Sequence, residues 1–176
     1  MPQDSSAGNN NKNNGDTHSS DSSENPEPVE SKLIPFLCYA KENQTVVREF
    51  GQRLKSEGWI DPWFDEEDIL PGQIWQDSVI NAVRQSHMVI VFLSKIAIAS
   101  EGFFQRELKL ALDTAAEKPE GTIFIIPICI DNCDVPDMLL RYQYVNYFGD
   151  NQHKERVYSS LIASLRNRAE NLGIKL

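Results

Sequence analysis

A single carboxylate, Glu107, stands where chemistry is possible. It closes the stretch 88–108, MVIVFLSKIAIASEGFFQREL, behind two serines, Ser94 and Ser100. The stretch opens on an unbroken apolar run from Met88 to Leu93, rich in β-branched residues. Such a run reads as a strand buried on both faces, and so as a central strand of a parallel sheet. Ser94 ends it, and a helix-like segment then carries Glu107 in its first or second turn. Ligands of open α/β sheets bind outside the carboxyl ends of the strands, so a carboxylate delivered there is placed to act. The plain alternative is an exposed helix glutamate on a solvated face.

Other chemistries lack their residues. Neither G-x-G-x-x-G nor G-x-x-x-x-G-K-[ST] occurs, so no glycine-rich loop cradles a phosphate. His18, His87 and His153 are far apart, and none follows a strand, which disfavours a Ser-His-Asp triad. Cys129 and Cys133 have no histidine nearby, so no metal site is expected. Three cysteines, two of them in apolar runs, do not suggest a disulfide framework. A phosphate-accepting regulator of this fold needs acids after the first and third strands, where Cys38-Tyr39-Ala40 and Ser94 stand instead.

Charge narrows the partners. The net charge is -9 over 176 residues, and no basic stripe exists for nucleic acid or an anionic membrane surface. The longest apolar run, 123–130, is too short to span a bilayer and is interrupted by Pro127. No apolar signal region opens the chain, so a cytoplasmic protein is expected. Residues 1–32 are Asn, Ser, Asp, Gly and Glu with little apolar content, a composition that does not offset its ordering entropy. They read as a disordered acidic tail, followed by one folded domain over 33–168 and a C-terminal extension over 169–176.

The elements that must position Glu107 alternate. Residues 33–38 read as the first strand, with Pro35 limiting its pairing. A helix follows with Val46, Val47, Phe50 and Leu54 on its inner face, stopped at Gly58. Residues 59–64 read as a second strand limited by Pro62, and 65–73 as an acidic loop turning on Pro71-Gly72. A helix over 74–85 turns Ile74, Ser78, Val79, Ala82 and Val83 inward. After the central strand, Phe103, Phe104, Leu108, Ala111, Leu112 and Ala115 mark a helix of about four turns. Residues 122–130 form another buried strand, 142–145 a short edge strand, and 152–168 a last helix with Val157, Leu161, Ile162 and Leu165 inward. The pattern predicts a flavodoxin-like, doubly wound parallel sheet of about five strands with helices on both faces.

Several segments resemble one family in order. FLCYAKEN (36–43) resembles the first box of Toll/interleukin-1 receptor (TIR) domains. Residues 58–94 resemble the second strand, the second-box loop with its Pro-Gly, the next helix and the third strand. Residues 94–108 resemble the serine-rich segment leading to the family's glutamate. The resemblance spans about 33–168 and is closer to bacterial-type TIR domains than to animal receptor ones.

The resemblance implies NAD as substrate, with no cofactor beyond it. In NAD-cleaving members the glutamate matching Glu107 is essential; it holds the nicotinamide ribose and stabilises an oxocarbenium-like transition state. Nicotinamide leaves as a good leaving group, so one carboxylate suffices where O-glycosidases use two. Tyr39 and Lys41 match the pocket loop after the first strand, and Ser94 the start of the serine-rich segment. Phe103 stands where Trp is usual, Phe104 where Cys is common and Ala40 where Arg is common. Asp65 and Trp75 match the second-box segment that gates the site; core packing is the plain reading of Trp75.

The resemblance implies two functions in competition. One is an NAD glycohydrolase or cyclase in immune or cell-death signalling, controlled by self-association through Ile69, Leu70, Pro71 and Gly72. The other is a non-catalytic module whose same loop recruits other TIR domains. Either implies a sensor on a separate chain or on a fused domain outside this sequence. A third, nucleotide binding without cleavage, has no motif of its own.

Overall fold

The computed structural model describes residues 31–64, 71–72, 74–100 and 102–176. Four parallel strands form a sheet in chain order: β1 (Pro35–Cys38), β2 (Met88–Leu93), β3 (Ile125–Cys129) and β4 (Val145–Asn146). The helices are α1 (Gln44–Lys55), α2 (Trp75–Gln85), α3 (Lys95–Ala99), α4 (Phe103–Ala116) and α5 (Asn151–Asn171). This is the flavodoxin-like α/β fold, with β2 central as its composition predicts.

Successive residues of a strand point to opposite faces, and β2 shows why its apolar run has no gaps. Met88, Ile90 and Phe92 pack in one core with Val47, Phe50 and Leu54 of α1 and Leu161 and Leu165 of α5. Val89, Val91 and Leu93 pack in the other, with Val79 and Val83 of α2 and Phe104, Leu108 and Ala111 of α4. A strand covered on both sides has no polar face.

The fifth strand is reduced to two isolated parallel bridges beside β1, Leu33↔Ile60 and Phe36↔Trp63. The amides of Asp61 and Trp63 donate to the carbonyls of Leu33 and Pro35 at 2.8 and 2.9 Å, and Leu33 and Leu37 donate back to Trp59 and Trp63. Between them Pro35 has no hydrogen to give, so the ladder breaks there. Pro62 lies between two inward-facing amides and turns its own nitrogen to the outer edge, where no donor is needed. Pro127 follows the same rule. Val89 donates to Phe124 and Ile130 donates to Leu93, whereas Tyr147 donates to Cys129. Even-numbered residues of β3 therefore bond β2, and Pro127 faces the β4 side, where pairing begins only at Ile128↔Val145.

Several sequence expectations shift. The edge strand lies at Val145–Asn146 rather than 142–145. Val46 is 43% exposed and Ile74 is 68% exposed, so neither faces the core. The inner stripe of α1 is Val47, Phe50 and Leu54, and Ile74 precedes α2 as its N-cap. The last helix continues past Arg168 to Asn171, with Ala169 and Ile174 buried. A short helix, α3, stands between β2 and Ser100 where no element is expected. Gly58 adopts φ 84° after α1, a left-handed stop that suits glycine.

Candidate functional site

The site is built at the carboxyl ends of β1, β2 and β3. From β1 the chain runs through Tyr39 and Ala40 into a 3-10 turn, Lys41–Asn43. From β2 it runs through Ser94 into α3, then over Gly102 into α4. Gly102 takes φ 118°, a backbone that side chains rarely adopt, which lets α4 start abruptly. From β3 it runs into a loop through Asp131 and Cys133.

Glu107 is 3% exposed. It lies one turn beyond Phe104, beside Leu108 and one turn before Ala111, and these three are 3%, 1% and 0% exposed. Positions 104, 107, 108 and 111 make the i, i+3, i+4, i+7 stripe of a helix face turned to the core. The plain reading of Glu107 as a solvated helix glutamate therefore fails. A carboxylate carried on an apolar stripe is costly to bury unless a partner or ligand compensates it.

Ser94 is 1% exposed, and its hydroxyl is engaged twice. It donates to Asn43 Oδ1 at 2.8 Å and accepts the Ala97 amide at 3.0 Å, capping α3. Asp131 accepts the Lys95 amide through both carboxylate oxygens, at 3.1 and 3.2 Å. Asn43 and Asp131 are thus site residues that sequence reasoning misses. Each meets a partner 51 or 36 positions away, across a strand register that the sequence does not print.

The remaining residues of the sequence reading divide. Tyr39, 7% exposed, packs in the core under α1 and α5, while its neighbour Ala40 packs in the core under α4. Lys41 is exposed on the 3-10 turn, and Pro71 and Gly72 form an exposed turn. Asp65, Ile69 and Leu70 lie outside the described residues, as do the side chains of Trp75 and Phe103, which open α2 and α4. Among the described residues no group of three or more His, Cys, Asp or Glu side chains is placed to hold a metal ion. Neither Cys129, buried at the end of β3, nor Cys133, half-buried in the loop beyond it, is in a disulfide. Burial pushes both thiols upward, Cys133 to about 12 with Cys129 and Asp131 adding to it. No helix among the described residues is long and apolar enough to cross a membrane.

The Glu-bearing helix α4 follows the central strand by way of α3, the short helix laced to the loops on either side. A family model for the TIR domain matches residues 36–162, and the chain belongs to that family. Among solved structures it is similar to the TIR domain of the Toll-related receptor TRR-2 from the lower metazoan Hydra magnipapillata. The identity is 22% and the TM-score 0.62, covering 75% of this chain and 97% of that one. It is also similar to a prokaryotic SEFIR domain, at 14% identity and TM-score 0.50, covering 76% of this chain and 92% of that one. At these identities the likeness bears on the fold. No curated protein matches the chain in sequence.

Proposed function

We propose that this TIR domain cleaves the bond between nicotinamide and ribose in NAD, with Glu107 as the catalytic residue. The observation that carries the reading is the burial of Glu107, 3% exposed on the core-facing stripe of α4 at the carboxyl end of the sheet. A fixed carboxylate withdrawn from water interacts more strongly with a cation forming beside it than an exposed one does. As the C–N bond breaks, its electron pair leaves with nicotinamide and positive charge develops on the ribose. Water then attacks the ribose carbon and loses a proton, giving ADP-ribose; attack by the substrate's own adenine gives a cyclic product instead. The domain works in the cytoplasm in immune or cell-death signalling, of the bacterial type, and is switched on by self-association through the loop that ends at Pro71-Gly72. Residues 33–168 form the acting unit, with residues 1–32 as a polar tether.

The test is nicotinamide release from NAD by concentrated protein, followed by chromatography, beside Glu107→Gln and Glu107→Ala. Loss of one fixed electrostatic stabiliser lowers turnover on the order of 100- to 1000-fold. Equal activity in wild type and variants overturns the assignment. Silence of all three, even when clustered on beads, moves the second reading ahead: an interaction module that recruits other TIR domains. One observation favours that reading, an isoleucine, Ile74, left 68% exposed two residues after the Pro71-Gly72 turn.

A further inference from the structure

We infer that Asp131 and Asn43 are positioning residues that hold α3, and through it the approach to Glu107, from the two neighbouring loops. The inference deepens the NAD-cleavage reading and rests on it for its catalytic consequence, while the clamp itself stands on geometry.

Helix α3 is too short to hold itself. Lys95–Ala99 is five residues, far below the roughly 12–15 that a helix needs to persist alone. Its place must therefore come from outside. Its first turn has amide groups with no helical acceptor. One of them, Lys95, is taken by Asp131, and another, Ala97, by Ser94. The Ser94 hydroxyl is itself oriented by donating to Asn43. Loops after three different strands therefore meet at one turn of helix.

The register explains the meeting. Leu93 of β2 pairs with Cys129 of β3, and the Ile130 amide donates to the Leu93 carbonyl at 2.9 Å. Continuing the same offset sets Lys95 opposite Asp131. The carboxylate is delivered from the start of the loop, two residues past the end of β3, where the strand still sets its place. On the other side, the Asn43 amide donates to the Ala40 carbonyl at 2.8 Å, closing the 3-10 turn that aims its side chain at Ser94. Ala97, at the centre of the clamp, is 0% exposed.

The far end of α3 leads to Glu107. The Ser100 hydroxyl donates to the Ala97 carbonyl at 2.7 Å, and α4 begins three residues later. A shift in α3 moves the start of α4, and a displacement of about 1 Å at a reacting group costs on the order of 100-fold in rate. Asp131 and Asn43 touch no reacting atom in this scheme. They act through α3.

The experiment uses the full chain with Asp131→Ala, Asp131→Asn and Asn43→Ala. Asparagine at 131 keeps an oxygen for the Lys95 amide and loses the charge. Two readouts are taken: amide hydrogen exchange of peptides covering 95–100, and NAD turnover split into kcat and KM. Asp131→Ala is expected to speed exchange in that segment about 10-fold, with the peptides of β1 to β3 unchanged, and to lower kcat about 10-fold at nearly constant KM. Asp131→Asn restores both, which a merely charged surface role does not predict; Asn43→Ala resembles Asp131→Ala. Unchanged exchange over 95–100 in Asp131→Ala overturns the clamp. Faster exchange with unchanged kcat overturns the positioning role. If wild type releases no nicotinamide, the function reading has failed, and the exchange readout alone upholds or overturns the clamp.

Discussion

Replacing Gly51 by alanine should destabilise this domain, against the usual rule for a helix. Gly51 sits in the middle of α1, where alanine ordinarily stabilises by about 1 kcal/mol. Here a Cβ would land on the ring of Phe64, against Cζ and at 2.8 and 2.9 Å from Cε1 and Cε2. Phe64 is only 8% exposed, so the ring has little open space to retreat into. Forcing atoms into a packed core costs about 1–3 kcal/mol, and pushing the ring toward water forfeits up to about 3 kcal/mol of burial. Set against the gain in propensity, the net loss is up to about 2 kcal/mol. Phe64→Leu removes all three clashing atoms. In that background Gly51→Ala should stabilise by about 1 kcal/mol, so the sign of its effect reverses. The coupling is then about 1–3 kcal/mol, as expected of residues in direct contact. Urea unfolding followed by tryptophan fluorescence measures it. Equal effects of Gly51→Ala in the two backgrounds refute the reasoning, because they mean α1 and the segment that enters the second-box loop do not meet at this glycine.

Two further outcomes follow from titratable groups. His87 Nδ1 accepts the Ile34 amide at 2.9 Å, and burial, with Arg168 nearby, holds its pKa below the usual 6.5. The unfolded chain therefore binds the proton more readily, so His87 contributes stability in full above pH 6.5 and loses it as the pH falls toward its folded pKa. Urea midpoints at about pH 7.5 and about pH 5.5 should differ less in His87→Asn, whose amide oxygen keeps the acceptor at either pH, and an unchanged difference removes this role. Cys133, at about 12 against an ordinary 9.0, should carry about 1000-fold less thiolate than a free cysteine near pH 8. Its reaction with an aromatic disulfide reagent should be correspondingly slow until the protein is unfolded, and rapid labelling of the native protein contradicts the burial described.

The layers of the fold were legible in the sequence because each is written in a short period. The gapless run at β2 and the i, i+3, i+4 spacing in α1 and α4 are local patterns that packing then obeys. Where pattern and structure differ, the pattern is ambiguous by one residue or interrupted by proline. Val46 and Val47 are adjacent, and only one of two neighbours on α1 can face the sheet; Val47 does, with Phe50 and Leu54. The segment 59–64 has strand composition and lies beside β1, but Pro35 on its neighbour removes the donor that would have joined its two bridges. Helix α3 was invisible for a different reason. Five residues carry too little periodicity to show, and what makes it a helix is the set of side chains that cap it.

The site divides along the same line. Glu107 stands out by its place after the central strand, yet its burial is also written in the sequence, at i+3 from Phe104 and i−4 from Ala111. A glutamate on an apolar stripe is a stronger signal than a glutamate after a strand, because burial of a carboxylate costs free energy that a surface position avoids. Asn43 and Asp131 carry no such mark. Each is a polar residue in a polar loop, and its part is set by a hydrogen bond across the sheet, to Ser94 in one case and to the Lys95 amide in the other. Residues that would touch a substrate can show in a sequence by conflict with their surroundings. Residues that hold them in place agree with their surroundings, and only the register of β1, β2 and β3 brings them together.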